Sequence, residues 1–212
     1  MQSKQNPENT EEKAVIAAFD FDGTLTYRDS FFMFIIHTFG WWGLIWKSLP
    51  ILPKLVMYLF GKVSRTEAKE ALLTQFFKGM TIDKVRKLGA VFAKEKLPSQ
   101  MRPNAINRLR WHQKQGHRTL IVSASVDVWL EPWAEENGIE QVLSSRLEVD
   151  GEGCVTGKLT GKNCRREEKV RRLEEALGPL DQYEVYAYGD TIGDKEMMKA
   201  ADYPYFCWFP EE

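Results

Sequence analysis

Apolar residues along this chain fall into short runs that are separated by longer stretches of helical periodicity. The runs at 15–19, 119–122 and 184–188 predict strands, and the first is apolar enough to be buried on both faces of a sheet. Amphipathic helices are predicted at 64–79, 81–92, 103–116, 126–137 and 165–177. This alternation predicts an α/β fold with an open, mostly parallel, doubly wound sheet.

Smaller elements are predicted near the C-terminus. The segment 146–159 alternates around Asp-Gly-Glu-Gly and predicts a β-hairpin. A short helix containing Met197 and Met198 precedes a last predicted strand at 205–209. Pro132 lies within the helical pattern at 126–137, where it predicts a kink or a late helix start.

The segment 31–60 has the most unusual composition in the chain. Residues 31–46 include no Lys, Arg, Asp or Glu and are apolar on all sides of a helix, which is typical of a helix that is buried or in lipid. A spanning helix needs about 20 apolar residues, whereas Lys47 ends this run, and Pro50 and Pro53 follow. We therefore expect a compact helical subdomain or an element lying at a membrane interface, in preference to a span.

Composition and charge argue against several classes of protein. The chain has 212 residues, enough for one sizeable domain or for a core with an inserted subdomain. Its 29 basic and 30 acidic residues leave a net charge of −1, so we expect no nucleic-acid partner. Three cysteines without C-x-x-C spacing indicate a reducing compartment. Residues 1–13 are polar and predict a disordered tail without a signal peptide, and hence a cytoplasmic protein.

The strongest candidate for chemistry follows the first predicted strand. Asp20 and Asp22 are two residues apart, so in an extended chain both carboxylates point the same way. Converging carboxylates repel each other unless a cation lies between them, and a hard divalent ion with oxygen ligands is the usual solution. Gly23, which precedes Thr24, then provides the backbone freedom for a sharp exit from the strand. The alternative interpretation of this stretch is a simple Asp-Gly turn.

Polar residues also follow the other two predicted strands. Ser123 ends the second, and Asp190 and Asp194 follow the third. Taken singly, a serine there is more often a helix cap and a Gly-Asp pair a turn. Ligands of doubly wound folds bind beyond the carboxyl ends of the strands, so together these residues predict a binding site.

These motifs, in this order, resemble those of a known family. DFDGTLT at 20–26, LIVSAS at 120–125, a helical lysine and YGDTIGD at 188–194 resemble the four motifs of the haloacid dehalogenase (HAD) superfamily of phosphohydrolases. The resemblance covers 15–210 and is strongest to the phosphoserine-phosphatase-like branch, subclass IB. It implies a HAD-like Rossmannoid core, at 14–28 and 99–212, and a helical cap at 29–98.

The cap is where the chain departs from soluble phosphoserine phosphatases. Those proteins follow the serine of the second motif with two glycines, whereas Ala124 and Ser125 follow Ser123 here. The Trp- and Phe-rich cap, apolar at 31–60, is more similar to that of the bacterial phosphatidylglycerophosphatase C group. This similarity implies a lipid substrate.

The resemblance implies a role for each motif residue. Asp20 is expected to be the nucleophile that forms an aspartyl-phosphate, and Asp22 the general acid and base. Mg²⁺ is expected to bind the side chains of Asp20 and Asp190 and the backbone carbonyl of Asp22. Ser123 is expected to bind a phosphoryl oxygen. Asp194 is expected to support the metal site or orient the lysine, with Gly23 and Thr24 in supporting positions.

The third motif requires a cation that neutralises the transferred phosphoryl group. Because the family places this residue on the helix before the fourth motif, and because Val170 next to it begins a buried stripe, we predict Lys169. Lys162 is the second choice. The other candidates are Lys158, Arg165 and Arg166.

The function implied by the resemblance is an Mg²⁺-dependent phosphomonoester hydrolase. We expect a lipid or amphiphilic phosphate such as phosphatidylglycerophosphate as substrate, with peripheral contact of 31–60 to the inner face of the cell membrane. The alternative is a small, water-soluble phosphomonoester. Retention of Asp20, Asp22 and Asp190 argues against a non-catalytic scaffold.

Overall fold

A computed structural model describes residues 13–210, and its centre is a five-stranded parallel β-sheet. The strands are β1 (Ala14–Phe19), β2 (Arg118–Val126), β3 (Gln141–Ser145), β4 (Leu147–Val149), β5 (Val155–Leu159), β6 (Tyr183–Gly189) and β7 (Tyr203–Phe206). The order in the sheet is β3-β2-β1-β6-β7, and β4 and β5 form a separate antiparallel hairpin. The predicted α/β fold is thus confirmed. The predicted tail at 1–13 lies outside the described residues, apart from Lys13.

Helices fill the connections between the strands of the central sheet. They are α1 (Ser30–Ser48), α2 (Leu52–Leu59), α3 (Arg65–Phe77), α4 (Ile82–Glu95), α5 (Pro103–Lys114), α6 (Asp127–Glu136), α7 (Glu167–Leu177) and α8 (Lys195–Lys199). The first four lie between β1 and α5, within the segment 29–98 for which a cap was predicted. The boundaries of that cap as a separate unit remain a prediction.

Strand β1 is buried on both faces, as its apolar sequence predicts. Ala17 and Phe19 belong to the hydrophobic cluster that also contains Phe34 of α1 and Trp129 of α6. Ile16 and Ala18 face the opposite cluster, which contains Leu173 of α7 and Met197 of α8. Alternation along a strand therefore divides the core into two layers.

The apolar segment 31–60 divides at Gly40 into a packed part and an exposed part. Gly40 has a φ of +69°, which interrupts α1. Phe31, Phe34 and Ile35 before it are buried in the core. After it, large apolar side chains are exposed at Trp41, Trp42, Ile45, Trp46, Leu49, Leu52, Val56, Met57, Leu59 and Phe60, which we call the tip patch. No helix between residues 13 and 210 is long and apolar enough to cross a membrane.

Two predictions of local structure need correction. The last strand is Tyr203–Phe206 and not 205–209, because Cys207 adopts a φ of +54° that an extended strand does not allow. Helix α6 begins at Asp127 and continues through Pro132, so the late start is wrong. Because proline lacks an N–H, Pro132 cannot donate a hydrogen bond to the carbonyl of Val128. That carbonyl lies against Gly89 of α4, where a Cβ atom would be only 2.1 Å from its oxygen.

Candidate active site

The carboxyl ends of β1, β2 and β6 lie side by side at one edge of the sheet. In the parallel register, Phe19 pairs with Ile121 of β2 and with Tyr188 of β6. Asp20 directly follows Phe19, while Ser123 and Asp190 come two residues after its partners. The topology therefore brings the three polar strand ends together at the edge where such folds bind ligands.

Lys169 is enclosed between two carboxylates. Its Nζ atom lies 2.6 Å from Oδ1 of Asp20 and 2.5 Å from Oδ1 of Asp194, and the residue is only 1% exposed. Burial lowers the pKa of Lys169, but attraction by the two carboxylates outweighs burial, so the pKa is raised. Lys162, the second choice, is exposed, as are Lys158 and Arg166. Within residues 13–210, Lys169 is the cation that contacts Asp20.

Asp190 approaches the β1 motif through space left by a glycine. Gly23 has a φ of +81°, and a Cβ atom there would lie 2.1 Å from Oδ2 of Asp190. Thr24 Oγ1 donates a hydrogen bond to Oδ1 of Asp190 over 3.3 Å. Gly23 and Thr24 therefore both help to position the carboxylate of Asp190.

Asp20, Asp190 and Asp194 form a cluster whose chemistry fits a divalent ion. Each offers one carboxylate oxygen, and these oxygens lie within 4.8 Å of one another. Burial raises the pKa of Asp20 to about 7 against the attraction of Lys169, and burial also raises the pKa of Asp190. Clustered carboxylate oxygens are the ligands that Mg²⁺ prefers, and a bound cation would offset the cost of burying these charges.

Asp22 is held by two hydrogen-bond donors. The backbone N–H of Ser30 donates to its Oδ1 over 2.8 Å, and the hydroxyl of Ser125 donates to its Oδ2. Burial, followed by repulsion from Asp29, raises the pKa of Asp22 to about 6. A carboxyl group with a pKa near neutrality can both donate and accept a proton at physiological pH.

Ser125 is a site residue that the sequence analysis missed. Strand β2 continues past Ser123 to Val126, and its register with β3 shifts between these two residues. Ser123 is buried, and its Oγ accepts a hydrogen bond from the backbone N–H of Ser125 over 3.1 Å. Such an irregularity changes the direction in which the side chains of a strand point. The side chain of Ser125 thereby contacts Asp22. The sequence signal for Ser125 was the pair Ala124-Ser125, which stands where soluble phosphoserine phosphatases have two glycines.

A cleft of about 140 Å³ lies beside Asp22, between the sheet edge and helices α1 to α3. Asp22, Ala124 and Ser125 line it from the sheet. The remaining lining is mostly apolar and includes Phe31, Phe32, Leu55, Tyr58 and Leu72. The cleft therefore combines a polar end at Asp22 with an apolar wall.

Lys69 of α3 also lines this cleft and was likewise missed. Its Nζ donates a hydrogen bond to the carbonyl oxygen of Ala124. Burial lowers the pKa of Lys69 to about 8, against attraction from Asp22 and Asp29. The sequence contained a signal for Lys69, because Leu72 and Phe76 follow it by three and seven residues and so lie on the same face of the helix. Lys69 is therefore a charge on an otherwise apolar face.

Comparison with known proteins establishes the family. The family of haloacid dehalogenase-like hydrolases matches residues 17–199. Protein CicA of Caulobacter vibrioides is 39% identical over 189 residues, which cover 89% of this chain and 83% of CicA. Among solved structures, a protein of unknown function from Bordetella pertussis Tohama I has a TM-score of 0.76 and 22% identity, covering 89% of this chain and 87% of its own. Phosphoserine phosphatase in its apo form has a TM-score of 0.60 and 18% identity, covering 89% of this chain and 84% of its own.

The chain therefore belongs to the haloacid dehalogenase-like hydrolases. Within them it is similar to the phosphoserine-phosphatase-like proteins, as the sequence motifs predicted. Membership of this family makes it a hydrolase, and its fold is that of phosphoserine phosphatase.

Proposed function

We propose that this enzyme hydrolyses phosphomonoesters through an aspartyl-phosphate on Asp20, with Mg²⁺ as cofactor. The observation that supports the proposal best is the surroundings of Asp20: its Oδ1 lies 2.6 Å from Lys169, and it shares an oxygen cluster with Asp190 and Asp194. A buried carboxylate next to a buried cation, at a strand end, can attack a phosphate group whose negative charge the cation partly neutralises.

The reaction proceeds in two steps. A carboxylate oxygen of Asp20 attacks phosphorus, the ester P–O bond breaks, and Asp22 gives its proton to the leaving alkoxide oxygen. Water then attacks the same phosphorus, and Asp22 takes a proton from it. The bond between phosphorus and Asp20 breaks, which releases inorganic phosphate and restores the carboxylate. The raised pKa of Asp22, about 6, suits both proton transfers.

The other site residues stabilise charge and geometry. The side chains of Asp20 and Asp190 and the backbone carbonyl of Asp22 would hold Mg²⁺, which supplies positive charge to the phosphoryl oxygens. Asp194 accepts a hydrogen bond from Lys169 and so orients it towards Asp20. Ser123 Oγ accepts from the backbone N–H of Ser125, so its own proton can be donated to a phosphoryl oxygen.

We propose further that the substrate is a lipid or amphiphilic phosphate, such as phosphatidylglycerophosphate, at a membrane surface. The tip patch exposes three tryptophans, with Trp42 73% exposed, and such rings suit the bilayer interface. Charge supports the same proposal, because residues 30–64 contain Lys47, Lys54 and Lys62 but no Asp or Glu. Basic side chains among apolar ones attract anionic lipid headgroups.

Phosphate release by the purified protein tests the proposal. With Mg²⁺ present, we expect release from glycerol 3-phosphate and from a short-chain phosphatidylglycerophosphate, and no release after Asp20→Asn. Removal of Mg²⁺ by EDTA should stop the reaction, and added Mg²⁺ should restore it. Absence of release from every ester by the wild type would overturn the proposal. A preference for the water-soluble ester together with no vesicle binding would instead support the second candidate, a phosphatase of small phosphomonoesters.

A further inference from the structure

A buried chain of hydrogen bonds ends on the carboxyl group of Asp22. The indole Nε1 of Trp129 donates to Oγ of Ser30 over 2.9 Å, and Oγ of Ser30 lies 3.2 Å from Oγ of Ser125. The hydroxyl of Ser125 in turn contacts Oδ2 of Asp22. Trp129, Ser30 and Ser125 are each at most 4% exposed, so water does not compete for these contacts.

We propose that Trp129 and Ser30 are positioning residues, which fix the direction of this chain and so direct the proton of Asp22 towards the leaving oxygen of the substrate. The proposal rests on the phosphatase function, in which Asp22 is the general acid. It gives a role in the reaction to two residues that do not line the cleft themselves.

The indole of Trp129 determines which way the hydroxyl groups point. An indole nitrogen donates a hydrogen bond but cannot accept one, whereas a serine hydroxyl has one proton and two lone pairs. Ser30 therefore accepts from Trp129 and gives its own proton to Ser125, whose proton is then directed at the carboxyl group. In the opposite direction Ser30 would accept from both neighbours, and its proton would have no acceptor among residues 13–210. Burial makes such an unpaired donor costly.

A fixed direction determines where Asp22 carries the proton that it transfers. Ser125 donates to Oδ2 of Asp22, and the backbone N–H of Ser30 donates to Oδ1 over 2.8 Å. The carboxyl proton therefore lies in neither of these contacts, where it would meet the hydrogen of a donor. The same carboxyl group lines the cleft, so the proton is held on its open side, from which it passes to the leaving oxygen as the P–O bond breaks.

A purely structural role for the chain would be to tie three elements together, since Ser30 begins α1, Ser125 belongs to β2 and Trp129 to α6. In that case its loss would weaken the fold and impair every substrate equally. A role in directing the proton predicts a loss that depends on the leaving group. An alkoxide leaves only with a proton, whereas p-nitrophenolate is stable as an anion and needs little help from an acid.

The test measures kcat/KM with glycerol 3-phosphate and p-nitrophenyl phosphate for the wild type, Trp129→Phe, Ser30→Ala and Ser125→Ala. This quantity reports the steps up to breakage of the ester bond, so the later action of Asp22 on water does not enter. Trp133→Phe is the matched control. Trp133 lies on the same helix and is 2% exposed, but its indole donates to no residue within 13–210.

The losses should depend on the leaving group and on the chain. We expect each of the three variants to lose about tenfold with glycerol 3-phosphate, out of the roughly 10²–10⁴-fold that general acid catalysis contributes, and little with p-nitrophenyl phosphate. Trp133→Phe should affect both esters alike. The double variant of Trp129→Phe and Ser125→Ala should lose no more than Ser125→Ala alone, because the indole acts on Asp22 only through Ser125.

Several outcomes would overturn the proposal. They are an equal loss with both esters, no loss in Trp129→Phe and Ser30→Ala, or the same selective loss in Trp133→Phe. If Trp129→Phe does not fold, Ser30→Ala decides the question, since it removes one hydroxyl and keeps the ring. If the folded wild type releases phosphate from neither ester, the phosphatase function itself fails and this proposal with it, which is a different result from an equal loss.

Discussion

The Nζ atom of Lys169 lies 2.6 Å from Oδ1 of Asp20, although 149 positions separate the two residues in the chain. Helix α7 carries the lysine to the carboxyl end of β1, and Asp194 holds it from the other side. Both partners are buried, so each charge depends on the other for compensation. This pair links the stability of the protein to its proposed chemistry.

Replacing Lys169 by Met should impair both properties. Asp20 and Asp194 would remain buried without their cation, which typically lowers the free energy of unfolding by about 3–5 kcal/mol. Phosphate release should fall by at least about 10²-fold because the charge beside the nucleophile is lost. Urea unfolding and phosphate release measure the two effects. Lys162→Met, at the exposed alternative position, is the control, and a larger effect of that variant would show that the wrong lysine was assigned.

Replacing Gly23 by Ala should displace Asp190. The φ of +81° is unfavourable for alanine, and the new Cβ would lie 2.1 Å from Oδ2 of Asp190. Gly116→Ala is a matched control, since Gly116 has a φ of +76° but nothing within 4 Å of its Cβ position. Both variants should lose about 1–2 kcal/mol of unfolding free energy. Only Gly23→Ala should need more Mg²⁺ for half-maximal activity, and equal Mg²⁺ requirements would contradict the proposed role of Asp190.

His112 should make the protein less stable in acid. Burial, then the charges of Arg108 and His117, lowers its pKa from 6.5 to about 3 in the folded state. Between those pH values the unfolded chain binds a proton that the folded chain does not, so stability falls as the pH falls through this window.

The hydrogen bonds of His112 are consistent with a neutral ring. Its Nε2 lies 2.9 Å from the hydroxyl of Tyr188, which accepts from Nε of Arg108 and so can donate to the imidazole. Unfolding free energies measured between pH 7 and pH 4 should therefore fall by a few kcal/mol in the wild type. The fall should be smaller in His112→Gln, and parallel curves for the two proteins would refute the assignment.

Replacing Trp42 by Ala should weaken binding to anionic vesicles. Trp42 is 73% exposed in the tip patch, and transfer of one indole ring into the bilayer interface contributes about tenfold to partitioning. Sedimentation with vesicles that contain phosphatidylglycerol measures the effect. Trp208→Ala, at a residue of the C-terminal segment that is 58% exposed, should leave binding unchanged. Equal binding of all three proteins would argue against membrane contact through the tip patch.

Local patterns in the sequence were enough for four of the five strands of the sheet, the hairpin and the polar strand ends, but they did not predict β3 (Gln141–Ser145). A buried strand needs an apolar run, and a parallel sheet brings all its carboxyl ends to one edge. Asp20, Ser123 and Asp190 could therefore be predicted to meet before any distance was known. The choice of Lys169 over Lys162 depended on the resemblance to a family, because several cations lie between β5 and β6.

Contacts between distant segments could not be derived from local patterns. Ser125 contacts Asp22 only because β2 is irregular after Ser123, and Lys69 reaches Ala124 from a helix 55 positions earlier. Likewise, the composition of 31–46 predicted a helix that is apolar on all sides, whereas a backbone break at Gly40 separates the part that packs into the core from the part that is exposed. The sequence alone determined which residue types follow each strand, since that depends on chain order. Only the tertiary structure decided which cation is neutralised and which apolar surface is exposed, because both depend on packing between segments far apart in the chain.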